Sequence, residues 1–394
     1  MSVPTELLRN PFTMYAHMRQ QNPVFFHQEQ GIWLVYRYAE VKAILDDHAG
    51  FINRMADGFS DVRSLSDTVN TIDQPRHTQM RALMNKAFSP RVIAEMEQSI
   101  TQIAHSLIDE VVERGECDLV TDLAVPLPVR VIADMLGVPF AQREKFKLWS
   151  QHLVEATQQL VTGDTTPRPD IDASFMEMRA FFTEVYRERV KHPGPDLISR
   201  LATAEIDGVR LMEHEVVNNA MILMAAGNET TTHLIGNTIL CLLENPDQFA
   251  LLRQNPALIP GAVEETMRYR GAAQGIPRLA AVDREIGGHL IKAGTPVMAM
   301  IGSANRDEAV FTDPERFDVT RNPNPHLGFG HGIHYCLGAV LARLEGRIAL
   351  SAVMERLQDL ARVDESPLPP VPVSLNHGFL SLPVRFTPGR RRSV

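Results

Sequence analysis

Three alternating glycines, a histidine and a cysteine lie together in HLGFGHGIHYCLG, residues His326 to Gly338. Gly328, Gly330 and Gly332 let the backbone bend and approach a flat partner where a Cβ would clash. His334 and Cys336 follow at once. Leu337, Val340, Leu341, Leu344, Ile348 and Val353 then keep helical spacing. This pattern predicts Cys336 at a helix N-terminus, where free N–H groups and the helix dipole stabilise a thiolate. A thiolate on a glycine-flattened loop suits a metal, and a flat metallocofactor best. Three plainer readings compete. The cysteine can be a small buried hydrophobe, or half of a nucleophilic Cys/His pair. The turn can cradle phosphate, although Cys336 and His334 occupy positions a phosphate loop would leave free.

Other stretches carry chemistry more weakly. In AAGNETTT, residues 225–232, Gly227 costs a helix about 1 kcal/mol relative to alanine, so its presence asks for a reason. Thr230 can turn its hydroxyl to the Ala226 carbonyl and open a small groove. Glu229 is a carboxylate within an otherwise apolar run. A Gly/Thr bend with an exposed glutamate explains the same residues without function. Glu265 and Arg268 stand three apart on one helix face; as a surface pair they would be worth under about 1 kcal/mol. His77 and Arg81 share a helix face, and Arg278 follows Pro277 ahead of a strand. Taken singly, each is an ordinary surface residue.

The string FGHGIHYCLG matches, position by position, the haem-binding loop FGxGxHxCxG, and the chain is thereby identified as resembling the cytochrome P450 family. The resemblance runs from the N-terminal hairpin to the last strands. It implies heme b (iron protoporphyrin IX) with Cys336 as the metal ligand. Gly338 closes the loop motif, and Phe329 is the aromatic beside the thiolate. AGNET resembles the family's oxygen-binding groove: Ala226 and Gly227 border the cofactor, Thr230 is the hydroxyl that stabilises bound dioxygen, and Glu229 takes part in proton delivery. His77, Arg81, Arg278 and His334 fall where the family places haem-propionate partners. Glu265 and Arg268 match ExxR, with Arg316 in DPERF as the third member of a structural triad. In Asn305-Arg306-Asp307 the family's following proline is replaced by Glu308, which is expected to loosen that turn.

The same resemblance implies a monooxygenase that inserts one oxygen atom from O2 into a lipophilic small molecule, by hydroxylation or epoxidation. Cysteinate ligation pushes electron density to the iron and favours O–O cleavage. No flavin or iron–sulfur segment is recognisable, so electrons are expected from a separate ferredoxin or flavodoxin with its reductase. Arg81, Lys86, Arg343 and Arg347 would supply charge on the docking face. A haem-binding sensor or carrier would not need Glu229 and Thr230, and a cysteine hydrolase would not need Glu265 and Arg268. A peroxide-driven enzyme is the alternative within the family, against which the acid–alcohol pair argues.

The elements that must position these residues are mostly helical. Leu211–Leu243 is the longest periodic run, about 45–50 Å at ~1.5 Å per residue, and Asn245-Pro246 ends it. Ile93 to Val111 reads as one amphipathic helix. Val24–Phe26 and Ile32–Tyr36 read as a hairpin, and short strands surround Gly287-Gly288 and follow Pro-rich residues 366–372. Residues 48–75 read as a long functional loop, and Gly163–Pro169 as a mobile flap. The expected fold is mainly α with small β-sheets (α+β), one domain over 1–394, its long central helix over the haem and a small β lobe. Candidate pocket lining is residues 51–70, the helices flanking Gly163, Met221, Met224–Ala225, Ala272–Ile276 and Phe379–Leu380. A net charge of −9 and no basic stripe argue against nucleic acid. Three scattered cysteines suggest a reducing compartment, and no membrane-length apolar run is present, so a cytoplasmic protein without membrane insertion is expected; a monomer is expected as well.

Overall fold

The computed structural model describes residues 4–53, 63–139, 142–162, 164–372 and 375–392. The chain groups into two compact units: Met1–Ile52 with Glu97–Leu127 and Thr230–Val394, and Asn53–Met96 with Pro128–Glu229. Every strand among the described residues belongs to the first.

In that first unit Val24–His27 pairs antiparallel with Ile32–Val35, and Gly31 (φ +63°) sits in the turn between them. Pro296–Ala299 adds in parallel to Ile32–Val35, and Ile276–Ala280 and Phe51–Ile52 complete five strands. Val35, Phe51, Ala280 and Val297 bury one face of this sheet against Val41, Ile44 and Leu45 of the Tyr38–Asp46 helix. Each larger apolar side chain so buried contributes roughly 1.5–3 kcal/mol. A smaller sheet joins Glu116–Asp118, Pro383–Thr387 and Gln358–Arg362. The helix after the cysteine, Ala339–Arg356, packs on Glu97–Asp109 and on Ile259–Tyr269.

The second unit is helical. Arg76–Ala87, Arg143–Thr162, Pro169–Lys191 and Leu197–Thr203 are its main helices. Asp196 caps the last of these, accepting the Ser199 N–H at 2.8 Å. The long helix runs unbroken from Glu213 to Glu244, close to the expected span, and Pro246 opens the next helix at its first turn.

Some expectations fail for local reasons. The periodic run from Ile93 is two helices, Pro90–Glu95 and Glu97–Asp109, because the first ends at Met96. Pro246–Gln254 and Leu197–Thr203 were too short for periodicity to show. Within the long loop Phe51–Ile52 is an edge strand, whereas 54–62 lie outside the described residues, as does Gly163 of the expected flap. No helix among the described residues is long and apolar enough to cross a membrane.

Candidate functional site

The Cys336 loop is held between two helix ends. The Cys336 N–H donates to the Phe329 carbonyl at 2.9 Å, and the Gly330 N–H to that of Leu327 at 2.8 Å. Gly330 and Gly332 adopt φ of +73° and +70°, a region that disfavours side chains. A Cβ on Gly332 would stand 2.6 Å from the Leu45 carbonyl at the end of the Tyr38–Asp46 helix. One on Gly328 would stand 2.9 Å from the Met267 carbonyl near the end of the Ile259–Tyr269 helix. His331 Nδ1 also meets Asp46 Oδ1 at 2.5 Å. The glycines therefore serve two close backbone approaches, with His331 fixing one side.

Cys336 is not in the first turn of the following helix. That helix begins at Ala339 with Gly338 as its N-cap, so the cysteine precedes the cap by two residues. The Cys336 N–H is taken by the Phe329 carbonyl, and Leu337, which the periodic pattern had assigned to the helix, lies before its cap. The thiol is half-buried among Leu234, Val263, Met267, Phe329 and Ala339. Burial pushes the thiols of Cys117 and Cys241 up to about 12. Among the described residues no group of three or more His, Cys, Asp or Glu side chains could hold a metal ion. A metal on Cys336 must therefore bring its other ligands with it, as a macrocycle does. A single sulfur donor on a glycine-flattened loop fits that requirement.

The long helix leaves part of one face open. Val216 to Asn219 and Thr231 to Leu242 are buried, but Ala226 and Thr230, one turn apart on one face, are exposed. Leu234, one further turn along, packs in the Phe329–Cys336 cluster. Gly227 has a packing reason as well: its Cβ would stand 2.8 Å from Ile132 Cδ1. Asn228 is anchored through its Nδ2 to Ser150 Oγ at 2.6 Å. Glu229 is half-buried.

Thr230, Arg278, Phe329, His334, Cys336 and Gly338 lie in the first unit, and His77, Arg81, Ala226, Gly227 and Glu229 in the second. Arg278 is 6% exposed on the Ile276–Ala280 strand, and His77 is buried one turn before the half-buried Arg81. Met221 and Met224, expected to line a pocket, are fully buried and belong to packing instead. Leu380 is exposed beside the buried Phe379.

The Glu265–Arg268 pair is no surface pair. Both side chains are 0% exposed and joined by two bonds of 2.8 and 2.9 Å. Arg268 donates onward to the carbonyls of Asn305, Pro314 and Arg316. The third side chain of the triad is Arg321, whose Nε reaches the two Glu265 oxygens at 3.1 and 3.2 Å. Arg316 contributes only its carbonyl. Sequence distance hides Arg321, which stands 56 positions after Glu265, beyond four strands, a short helix and an irregular meander. Glu308 does not loosen its turn either. It pairs with the buried Arg19 at 3.2 Å, while Asp307 accepts the Tyr38 and Ala309 N–H groups.

Arg343, expected on a docking face, is already paired. It grips Glu264 at 2.6 and 2.8 Å, and His326 meets the same carboxylate at 3.0 Å. Burial would raise the Glu264 carboxyl, but the hydrogen bonds from Arg343 and His326 outweigh it and hold it at about 2. The signal was in the sequence: Glu264 and Glu265 are adjacent acids on one helix, facing two different partners.

Known proteins share this arrangement over almost the whole chain. The family model described as "Cytochrome P450" matches residues 6–386. A steroid C26-monooxygenase of Mycobacterium tuberculosis is 39% identical over 376 residues, covering 95% of this chain and 93% of that one. The structure of cytochrome P450 CYP109Q5 from Chondromyces apiculatus is similar at a TM-score of 0.90 and 39% identity, covering 98% and 97%. That of CYP109E1 from Bacillus megaterium in complex with testosterone gives 0.85 and 38%, covering 96% and 99%. Likeness of this extent, in a chain whose accessible cysteine sits on a glycine-flattened loop, means that the chain belongs to the cytochrome P450 family and is a haem-dependent monooxygenase.

Proposed function

We propose that the protein holds heme b through Cys336 and inserts one oxygen atom from O2 into a bulky lipophilic small molecule. The observation that carries this reading is the Cys336 loop itself, a half-buried thiol whose flanking glycines admit close backbone approach. Bound there, the haem would supply the oxygen activation and atom insertion. Cys336 gives the thiolate, and Phe329 keeps water from the sulfur. His77, Arg81, Arg278 and His334 meet the anionic propionates, while Ala226, Gly227 and Gly338 leave room for the ring. Thr230 holds a proton through its hydroxyl on the exposed face of the long helix, and Glu229 brings protons toward it.

The substrate class is supported by the relatives, one named for a steroid and one solved with testosterone. Phe379 and Leu380 give this chain an apolar turn suited to such a molecule. Electrons come from a separate ferredoxin or flavodoxin with its reductase, to a single monomeric domain in the cytoplasm. The test is a binding spectrum against steroids, terpenoids, macrolides and fatty acids, followed by turnover of the binders with a ferredoxin and its reductase. Tight binders that yield oxygenated product support the reading. Binding of none, or binding with no product under any electron supply, would overturn it in favour of a haem sensor or carrier.

A further inference from the structure

Phe329 is enclosed by groups that Glu264 ties together. The Arg343 guanidinium lies over the Phe329 ring, 4.3 Å from its centroid, and the rings of His326 and Tyr335 stand 6.0 and 6.2 Å away. Glu264 takes two hydrogen bonds from Arg343 and one from His326, and Arg343 Nη1 donates to the Tyr335 hydroxyl at 3.0 Å. His326 Nδ1 accepts the Gly328 N–H at 3.1 Å, which leaves Nε2 facing Glu264. Arg343 supplies the guanidinium over the Phe329 ring. The Phe329 carbonyl in turn accepts the Cys336 N–H at 2.9 Å. One chain of contacts thus runs from a half-buried ion pair to the cysteine.

We propose that the Glu264–Arg343 pair positions and electrostatically tunes the Cys336 ligand. This rests on the reading that Cys336 holds the haem iron. Arg343 fixes the Phe329 face and places a positive charge on the ring that packs with Cys336, and Glu264 sets how much of that charge the site feels. A cation near the ligand favours the reduced, more negative state, and an anion opposes it. With side-chain exposures of 31% and 30%, the pair is screened by salt only in part.

The test is the reduction potential of the haem-loaded protein in Glu264→Gln, Arg343→Gln, Arg343→Lys and the double Gln variant. Glu264→Gln should shift the potential upward, because the Arg343 charge is left uncompensated. Arg343→Gln should shift it downward, and the double variant should return toward wild type. Arg343→Lys keeps the charge but not the planar fork, and should stay nearer wild type than Arg343→Gln. Both shifts should shrink as ionic strength rises. Single variants that move the potential in the same direction, or not at all, would overturn the proposal. Equal potentials in Arg343→Lys and Arg343→Gln would overturn it too, even if Glu264→Gln does not retain haem. Loss of haem from both Arg343 variants would do the same, since the pair would then be structural alone. The underlying reading fails separately, through a thiolate spectrum that survives in Cys336→Ser.

Discussion

Replacing Arg268 by alanine should leave most of the protein without haem or insoluble. Glu265 would lose its two strongest donors, at 2.8 and 2.9 Å, and keep Arg321, Asn324 and the Asp318 N–H at 3.0–3.2 Å. Removing one partner of a buried pair costs about 3–5 kcal/mol, and the remaining Arg321 favours the lower end of that range. The carbonyls of Asn305, Pro314 and Arg316 also lose a charged donor, at roughly 1–3 kcal/mol for each one left unsatisfied. The sum is roughly 5 kcal/mol or more, against a typical total stability of about 5–15 kcal/mol. Arg268→Lys should be intermediate, since an ammonium cannot grip both carboxylate oxygens and reach the three carbonyls. Soluble yield, haem-to-protein ratio and the urea midpoint measure the effect. Normal haem content in Arg268→Ala, with a midpoint shift worth under about 1 kcal/mol, would show that the pair behaves as a surface pair and refute the reasoning.

Two further outcomes are expected. Thr230→Ala should leave haem content and substrate binding near wild type while more of the reducing equivalents end in hydrogen peroxide; the effect should not exceed roughly 2.7–4 kcal/mol, and equal product per electron would withdraw the role of the hydroxyl. Burial holds the Glu345 carboxyl, 1% exposed, up at about 8. Between its ordinary pKa of about 4.3 and about 8 the unfolded chain binds fewer protons than the folded one, so this group lowers stability as pH rises, by about 1.4 kcal/mol per unit. Glu345→Gln should therefore match wild type near the acid end of that window and unfold at a higher temperature at its alkaline end. Parallel melting curves across the window would show that Glu345 is not a buried neutral acid.

The site was more legible than its supports. Glycine spacing, a cysteine and a following apolar run are local signals, and HLGFGHGIHYCLG carries them in thirteen consecutive residues. The long helix was equally plain, because its periodicity outlasts any local interruption. What could not be read was which distant side chains converge. Arg321 reaches Glu265 from beyond four strands and a short helix, and Arg343 meets Glu264 from another helix, so neither pairing has a periodic signature. The expectation for Cys336 erred by starting the helical spacing at Leu337, whereas the helix begins at Ala339 behind its cap Gly338. Met221 and Met224 show the same limit: spacing places a side chain on a face but does not say whether that face is packed.

The most direct measurement is the absorption spectrum of the reduced, CO-treated protein, wild type beside Cys336→Ser. Thiolate ligation by Cys336 predicts the long-wavelength CO band in the wild type and its loss in the variant, with the far-ultraviolet helical signal retained in both. The same band in Cys336→Ser, or no haem bound by the wild type, would contradict it.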